Sequence, residues 1–577
     1  LVEPHIELEA PPLPTLPAGS SLQDSLSHSG LLVLSMADGY HNHLFAYHPQ
    51  FLPLTRLTTA PYDDITPAVS PDGSRIAFAS RRNGFWDLYL LELPDGELTR
   101  LTDTPAYDGA PSWSPDGKWL AYETYANGNL DIMLLAVDRP ANTPIRITDH
   151  PAADYAPAWS PAGRSLAFIS QRSGEPDVWL VDLDKNADQF TDLSATPAAQ
   201  EDHPKWSPDG RYLVWGAAAE GGHILYLWDS QTPDSAPVQL GAGYLPAWSP
   251  QGDTLAAGMI GANETTLGGY NLRQRALAFP AERLPGRLFG LDWASGDFAA
   301  NLLAMPLPED AAHPIPLLWS PALSADPLPP DGRYGIVKLQ DVTVPHPYLV
   351  DLADESFDEL RKFTALQSGW DFLSSLENAY LPLSEPPTLA AQQNWLFTGR
   401  AFAFNPVPLN AGFISLVREP INGQTYWRVY LKTRYQDGSQ GLPLTSPVWD
   451  INARYSENPV SYEQGGLPQT APAGYWVDFT DLAARYNWDR LPAQLNWRTF
   501  INAARFNQFV LTGGLTWHQA MAEIFPPEAL ITPTSVPSLT PLPSSTPKDT
   551  NWHFYTVTPT FQPTPTPIPR PTWTPLP

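Results

Sequence analysis

The residues in this chain whose type and spacing could support chemistry are acids, and they recur. Asp64, Asp108, Asp154 and Glu201 each stand six residues before the Ser of a Ser-Pro-x-Gly tetrapeptide, and Gly243 takes the same place in the next copy. Carboxylates repeated at one place in a ring of similar units either cap their own loops or form an anionic rim. Such a rim would hold a cation, Ca²⁺ included, or a Lys/Arg-bearing segment. Other chemistries lack their residues. The chain has no cysteine, which removes disulfides, thiol catalysis and Cys-ligated metal. No Gly-x-Ser-x-Gly stretch supplies a serine nucleophile elbow. Between residues 360 and 530 the only histidine is His518, whereas catalytic zinc needs three protein ligands.

Composition narrows the partners. The net charge is −28 with a pI near 4.6, which argues against a nucleic-acid partner or an anionic membrane surface. No run approaches the ~18 apolar residues of a membrane-spanning helix. The start Leu1-Val2-Glu3-Pro4 has neither a basic nor an apolar leader segment, so an export signal, if one existed, is expected to be already removed. With 66 Pro, 21 Trp and 16% charged residues, the expectation is an exported protein at the cell surface or outside the cell.

The elements that position the acids are read from the repeat. Ser-Pro-Asp-Gly occurs at Ser70–Gly73, Ser114–Gly117 and Ser207–Gly210, with variants at Ser160–Gly163 and Ser249–Gly252; successive starts are 44, 46, 47 and 42 residues apart. A decayed copy lies at Asp292-Trp293-Ala294-Ser295-Gly296. In each tetrapeptide Pro fixes φ, Asp bonds its own backbone and Gly takes the φ > 0 position, which makes a hairpin turn. Short apolar strands flank it, such as Pro111-Ser112-Trp113 and Trp119-Leu120-Ala121-Tyr122. A period near 45 fits a four-stranded propeller blade.

Motif, period and strand order resemble the TolB-type β-propeller repeat, a relative of WD repeats, over residues 29–340. The resemblance implies an all-β propeller that binds proteins, peptides or small ligands at its channel mouth. Counting units through Leu339 predicts seven blades; closure of the first by Leu288–Trp293 would give six.

Residues 341–532 read as a second, α+β domain. Ser356 and Glu359 predict a capping box opening a helix through Leu366, Trp370–Tyr380 predicts another, Tyr426–Lys432 a strand, Thr480 a cap for a helix through Tyr486, and Thr516 with Gln519 a capping box ahead of Trp517–Phe525. Gly399-Arg400-Ala401-Phe402 resembles part of the zinc motif of VanY-type D-alanyl-D-alanine carboxypeptidases. On that resemblance the zinc-ligand positions fall on Leu396 and Ala403, with the last on Gln508, or on His518 in a shifted alignment that puts Leu515 at the general-base position. The domain is therefore expected to be degenerate, with no metal, no cofactor and no catalytic residues. Its eight Trp residues, Trp370 to Trp517, serve core packing or stack on a glycan or peptide.

The ends differ again. Residues 1–28 form a Pro-rich arm, and 533–577 alternate Pro and Thr, a composition that favours extended polyproline II. Within that tail Trp552, Phe554 and Tyr555 form an aromatic, strand-like island suited to docking on a partner or a second copy. Asn263-Glu264-Thr265 matches a glycosylation sequon. These features predict a non-enzymatic surface protein for binding or assembly at the cell envelope, with a filament or lattice subunit as one form of that role. The alternatives are a divergent cell-wall peptidase and a ligand or Ca²⁺ binder using the propeller channel.

Overall fold

A computed structural model describes residues 29–530, except 142, 186, 195–198, 275, 308–309, 316, 320–331 and 384–393. Between Leu31 and Ala294 the chain forms six four-stranded antiparallel sheets. Their innermost strands, Asp64–Val69, Tyr107–Trp113, Asp154–Trp159, Gln200–Trp206, Tyr244–Trp248 and Leu288–Ala294, pack in a ring, each against the next. The last of these pairs with Leu31–Asp38, so the first blade takes its inner strand from the end of the propeller sequence.

The count of seven is therefore corrected to six among the described residues. The count of seven ran through Leu339, and just before it lies Ile336–Lys338, a short run that passes for a blade strand by pattern alone. It pairs instead with Tyr348–Val350, and Leu339 and Leu349 join the core of the second domain.

The Ser-Pro-Asp-Gly segments are the hairpin turns predicted. Asp72 Oδ1 accepts from Ser70 Oγ (2.6 Å), Ser74 N (3.1 Å) and Ser74 Oγ (2.8 Å), while Gly73, at φ +66°, donates to Ser70 O. Asp116 and Asp209 repeat the contact with Ser114 and Ser207. The Trp ending an inner strand fastens blade to blade. Trp113 Nε1 donates to Ala68 O (3.0 Å) and Trp248 Nε1 to Lys205 O (3.1 Å).

The second domain surrounds an aromatic core of Phe402, Phe404, Phe479, Trp488 and Phe509. Two four-stranded sheets flank it. One joins Leu376–Asn378, Ala401–Phe404, Gln508–Val510 and Asp489–Arg490. The other joins Ile414–Ile421, Gln424–Lys432, Tyr475–Asp478 and Leu442–Pro443. Several predicted boundaries shift. The first helix runs Asp354–Ser368, so Ser356 lies inside it and its hydroxyl donates to Tyr486 O. Gly369, left-handed at φ +79°, ends that helix. Trp370–Tyr380 is then a short 3₁₀ turn and a strand rather than a helix, because Leu376 pairs with Phe404. Asp478, not Thr480, caps Phe479–Arg485; the Thr480 hydroxyl accepts from Val429 N instead. The capping box of Thr516 and Gln519 forms as read.

Propeller and second domain belong to one compact unit ending at Ile531. Every blade contributes its second hairpin turn to the seat. Arg485 donates to Gly39 O and Asn42 Oδ1, Trp86 Nε1 to Gly441 O (2.8 Å), and Gly474 N to Tyr125 OH (2.6 Å). Gln171 Nε2 donates to Thr445 O (3.2 Å), Arg418 pairs with Glu220, and Asn263 exchanges two hydrogen bonds with the Arg490 backbone. With the Asn263 amide committed there, a glycan at the sequon would have to break the seat.

Six engaged turns couple the two domains mechanically. Calorimetry is expected to give one cooperative unfolding transition for both. Arg485→Ala leaves the buried Asp481 carboxylate without its cation and is expected to cost about 3–5 kcal/mol, read as a lowered Tm; two separate transitions in the unmodified protein would contradict the coupling.

Candidate functional site: the covered channel mouth

The inner strands share a local irregularity. Three residues after each acid position stands a proline: Pro67, Pro111, Pro157, Pro204 and Pro246. Just before it the backbone turns left-handed, at Thr66, Ala110, Ala156, His203 and Leu245, with φ between 49° and 52° except at Ala110 (46°). The strand pairing shifts at each of these points. Proline cannot donate to a ladder, so the strand bulges there, and a non-glycine residue in this region stores about 1–3 kcal/mol of strain. Neighbouring blades catch the freed donors. Ala110 N donates to Thr66 Oγ1 (3.3 Å) and Ala156 N to Glu123 Oε2 (2.7 Å). Sequence reading missed the bulge, although a proline three residues past each repeated acid was its signal.

The four acids begin or nearly begin their inner strands, as expected, and all are buried. Each is held by its own local contacts. Asp64 takes Arg82 (2.8 Å) and Asp154 takes Arg172 through both oxygens (2.9 and 2.8 Å). These arginines stand 18 residues downstream of their acids. At the same offset the third and fifth blades have Ala126 and Ala219. Asp108 makes do with hydroxyls, including Thr104 Oγ1 at 3.1 Å, and burial without a cation pushes its carboxyl up to about 6. Glu201 Oε2 accepts from Val178 N (2.9 Å). The expected ring of converging carboxylates is thus replaced by separate contacts, within the blade for Asp64 and Asp154 and across to the fourth blade for Glu201. Among the described residues no group of three or more acids or histidines is placed to hold a metal ion.

Of the four acids only Glu201 lines the channel-mouth cavity, among other residues. A cavity of about 260 Å³ lies between the inner strands and the Ile414–Lys432 hairpin of the second domain. On the blade side Glu123 accepts from Tyr107 OH (2.8 Å), and burial raises its pKa. His203 lies 2.9 Å from Asp202; burial pulls its pKa down, but Asp202 outweighs that and lifts it above the ordinary value. On the second-domain side stand Arg428 and Glu419, 2.6 Å apart. The mouth is covered by the chain's own hairpin, so the channel rim is already an occupied binding surface.

The positions singled out for zinc do come together in part. Ala403 and Gln508 are direct partners in the ladder between Ala401–Phe404 and Gln508–Val510, and Leu396 is buried. Neither Leu396 nor Ala403 carries a donor atom. His518 is exposed, on the helix Trp517–Ala522. Of the Trp residues, Trp427, Trp476, Trp488, Trp497 and Trp517 are buried and Trp370, Trp395 and Trp449 half-buried, so they serve packing. Trp552, Phe554 and Tyr555 lie outside the described residues.

Asp108 gives a pH test. Unfolded, its carboxyl titrates near the ordinary value of about 3.9; folded, it titrates near 6, so ionisation opposes folding above that pH and the penalty vanishes below about 4. Asp108→Asn is therefore expected to raise stability by up to about 3 kcal/mol in mildly alkaline buffer, with the gain fading as the pH falls through 6. Urea titrations of both proteins across that range would show it, and a pH-independent difference would contradict it.

Comparison with known proteins agrees with the propeller. Residues 54–252 match the family model of the TolB beta propeller domain. Among solved structures, TolB from Acinetobacter baumannii is similar at 20% identity over 47% of this chain and 67% of its own, with a TM-score of 0.41. The putative TolB from Agrobacterium tumefaciens is similar at 22% identity over 39% of this chain and 95% of its own, with a TM-score of 0.30. No curated protein matches the chain. Residues 54–252 thus carry a TolB-like β-propeller domain.

Proposed function

We propose that this chain is a non-enzymatic, exported bacterial protein that binds or assembles at the cell envelope, with a TolB-like propeller locked to a carboxypeptidase-like domain that has lost its metal. The observation that carries the reading is the ladder pairing of Ala403 with Gln508, with the buried Leu396 clustered on Ala401 and Val510 of the same two strands. The fold gathers two of the three positions where the resemblance would put zinc ligands and supplies no set of donors there. Zinc hydrolysis needs three donors and an open position.

The propeller adds a second support. Its second hairpin turns are all engaged by the second domain, while the turn tips at Pro115-Asp116, Pro161-Ala162 and Pro208-Asp209 remain exposed. Partner binding therefore falls to that opposite end, to the outer faces of the blades, or to the Pro/Thr tail with its Trp552, Phe554 and Tyr555 island.

Purified protein is expected to carry no stoichiometric zinc and to leave D-alanyl-D-alanine peptides uncleaved. Turnover lost to a chelator and restored by zinc would overturn the non-enzymatic reading. Deleting residues 533–577 should leave the folded unit intact and abolish assembly, as read by electron microscopy of the secreted material. Unchanged assembly would remove the tail from the proposal.

A further inference from the structure

The sixth blade and the second domain enclose a cleft of about 790 Å³ that adjoins the covered channel mouth and shares Arg287 and Arg428 with it. Its walls carry Arg287, just ahead of the closing inner strand, Arg428 from the Gln424–Lys432 strand, and Arg490 from the Asp489–Arg490 strand. These three guanidiniums share two carboxylates. Glu419 accepts from Arg428 Nε (2.6 Å) and from Arg490 Nη1 (2.6 Å); Asp478 pairs with Arg428 Nη1 (2.9 Å) and with Arg287. Three positive charges against two negative ones leave an excess cation, and burying an uncompensated charge is costly.

The excess has an address. Arg490 is only 6% exposed, and its Nε has no hydrogen-bond partner. Burial holds its pKa below the usual arginine value, despite the lift from Glu419. The Arg287 side chain keeps 29% exposure on the cleft wall. Of the other charges facing the cleft, two pairs close on themselves and Asp489 opposes the excess when ionised. Arg485 and Asp481 close on each other at 2.8 Å, and Arg283 meets Glu264 at 3.5 Å on the exposed rim. Asp489 accepts from Thr512 Oγ1 (3.0 Å), and burial pushes its carboxyl up to about 6.

We propose that this cleft binds a small organic anion, with its carboxylate or phosphate monoester held against Arg287 and Arg490. Guanidinium forks suit both groups through charge-assisted hydrogen bonds. The volume lies within the ~300–1,000 Å³ of ligand clefts and leaves room for an organic body beyond the anionic head. Gly513, Gly514 and Asn487 supply neutral polar wall for that body.

Isothermal titration calorimetry on the full chain tests it, with D-glucuronate as the carboxylate probe and glucose 6-phosphate as the phosphate probe. At least one is expected to bind saturably and more weakly as NaCl rises, and the stronger of the two names the head group. Arg287→Gln is expected to weaken it at least about tenfold, as loss of a charge-assisted hydrogen bond should. Because Arg287 also pairs with Asp478, a second variant is needed. Asp489→Asn keeps an acceptor for Thr512, removes a negative charge from the wall and is expected to tighten binding. Failure of both probes to bind the folded protein saturably would overturn the proposal. So would Asp489→Asn binding as the unmodified chain does, whether or not Arg287→Gln folds. An Arg287→Gln protein that folds with unchanged affinity would do the same.

Discussion

The structure depends on one pairing, between Leu288–Ala294 and Leu31–Asp38. A propeller sheet ring has two open edges until the ends of the sequence meet, and an open edge is an aggregation hazard as well as a loss of hydrogen bonds. Here the closing strand enters beside the second blade with almost no clearance. A Cβ at Gly290 would stand 2.7 Å from Pro67 and 2.8 Å from the Thr66 backbone, so glycine is what lets the first and second inner strands meet. Asp292 then accepts from Val69 N (2.8 Å) and Trp293 from the same strand donates to Ser29 O (3.0 Å). Because Arg287 immediately precedes this strand, closure also delivers the cleft arginine against Asp478 of the second domain.

The hairpin turns were legible because their chemistry is local: Ser, Pro, Asp and Gly each satisfy a torsion or a donor within a few residues. The inner-strand position of Asp64, Asp108, Asp154 and Glu201 followed from the same spacing. What those acids do was not legible, since it depends on whether residue 18 downstream is Arg82 or Arg172 on the one hand, or Ala126 or Ala219 on the other. Blade number stayed open between seven and six for a related reason. Leu288–Ala294 and Ile336–Lys338 are both short apolar runs, and only their partners, Leu31–Asp38 and Tyr348–Val350, tell a blade from a domain edge.

The second domain was harder to read because its elements are short and its aromatic residues point inward. Phe402 and Phe404, Phe479, and Phe509 come from three separate segments, none with a period long enough to announce itself. The arginines of the cleft were invisible for a different reason. In a chain of net charge −28, isolated Arg287, Arg428 and Arg490 look like ordinary surface balance until the fold brings them together.

The engaged hairpin turns make the propeller unequal at its two ends. On the side of Asn42, Trp86, Tyr125, Gln171, Glu220 and Asn263, any lengthening of a turn must displace the domain seated there. On the side of Asp116, Ala162 and Asp209 the tips are exposed. Variation in length over related chains can accumulate only at that second end, and the same tips are where an inserted epitope or fluorescent domain could be carried while the seat and the cleft stay as they are.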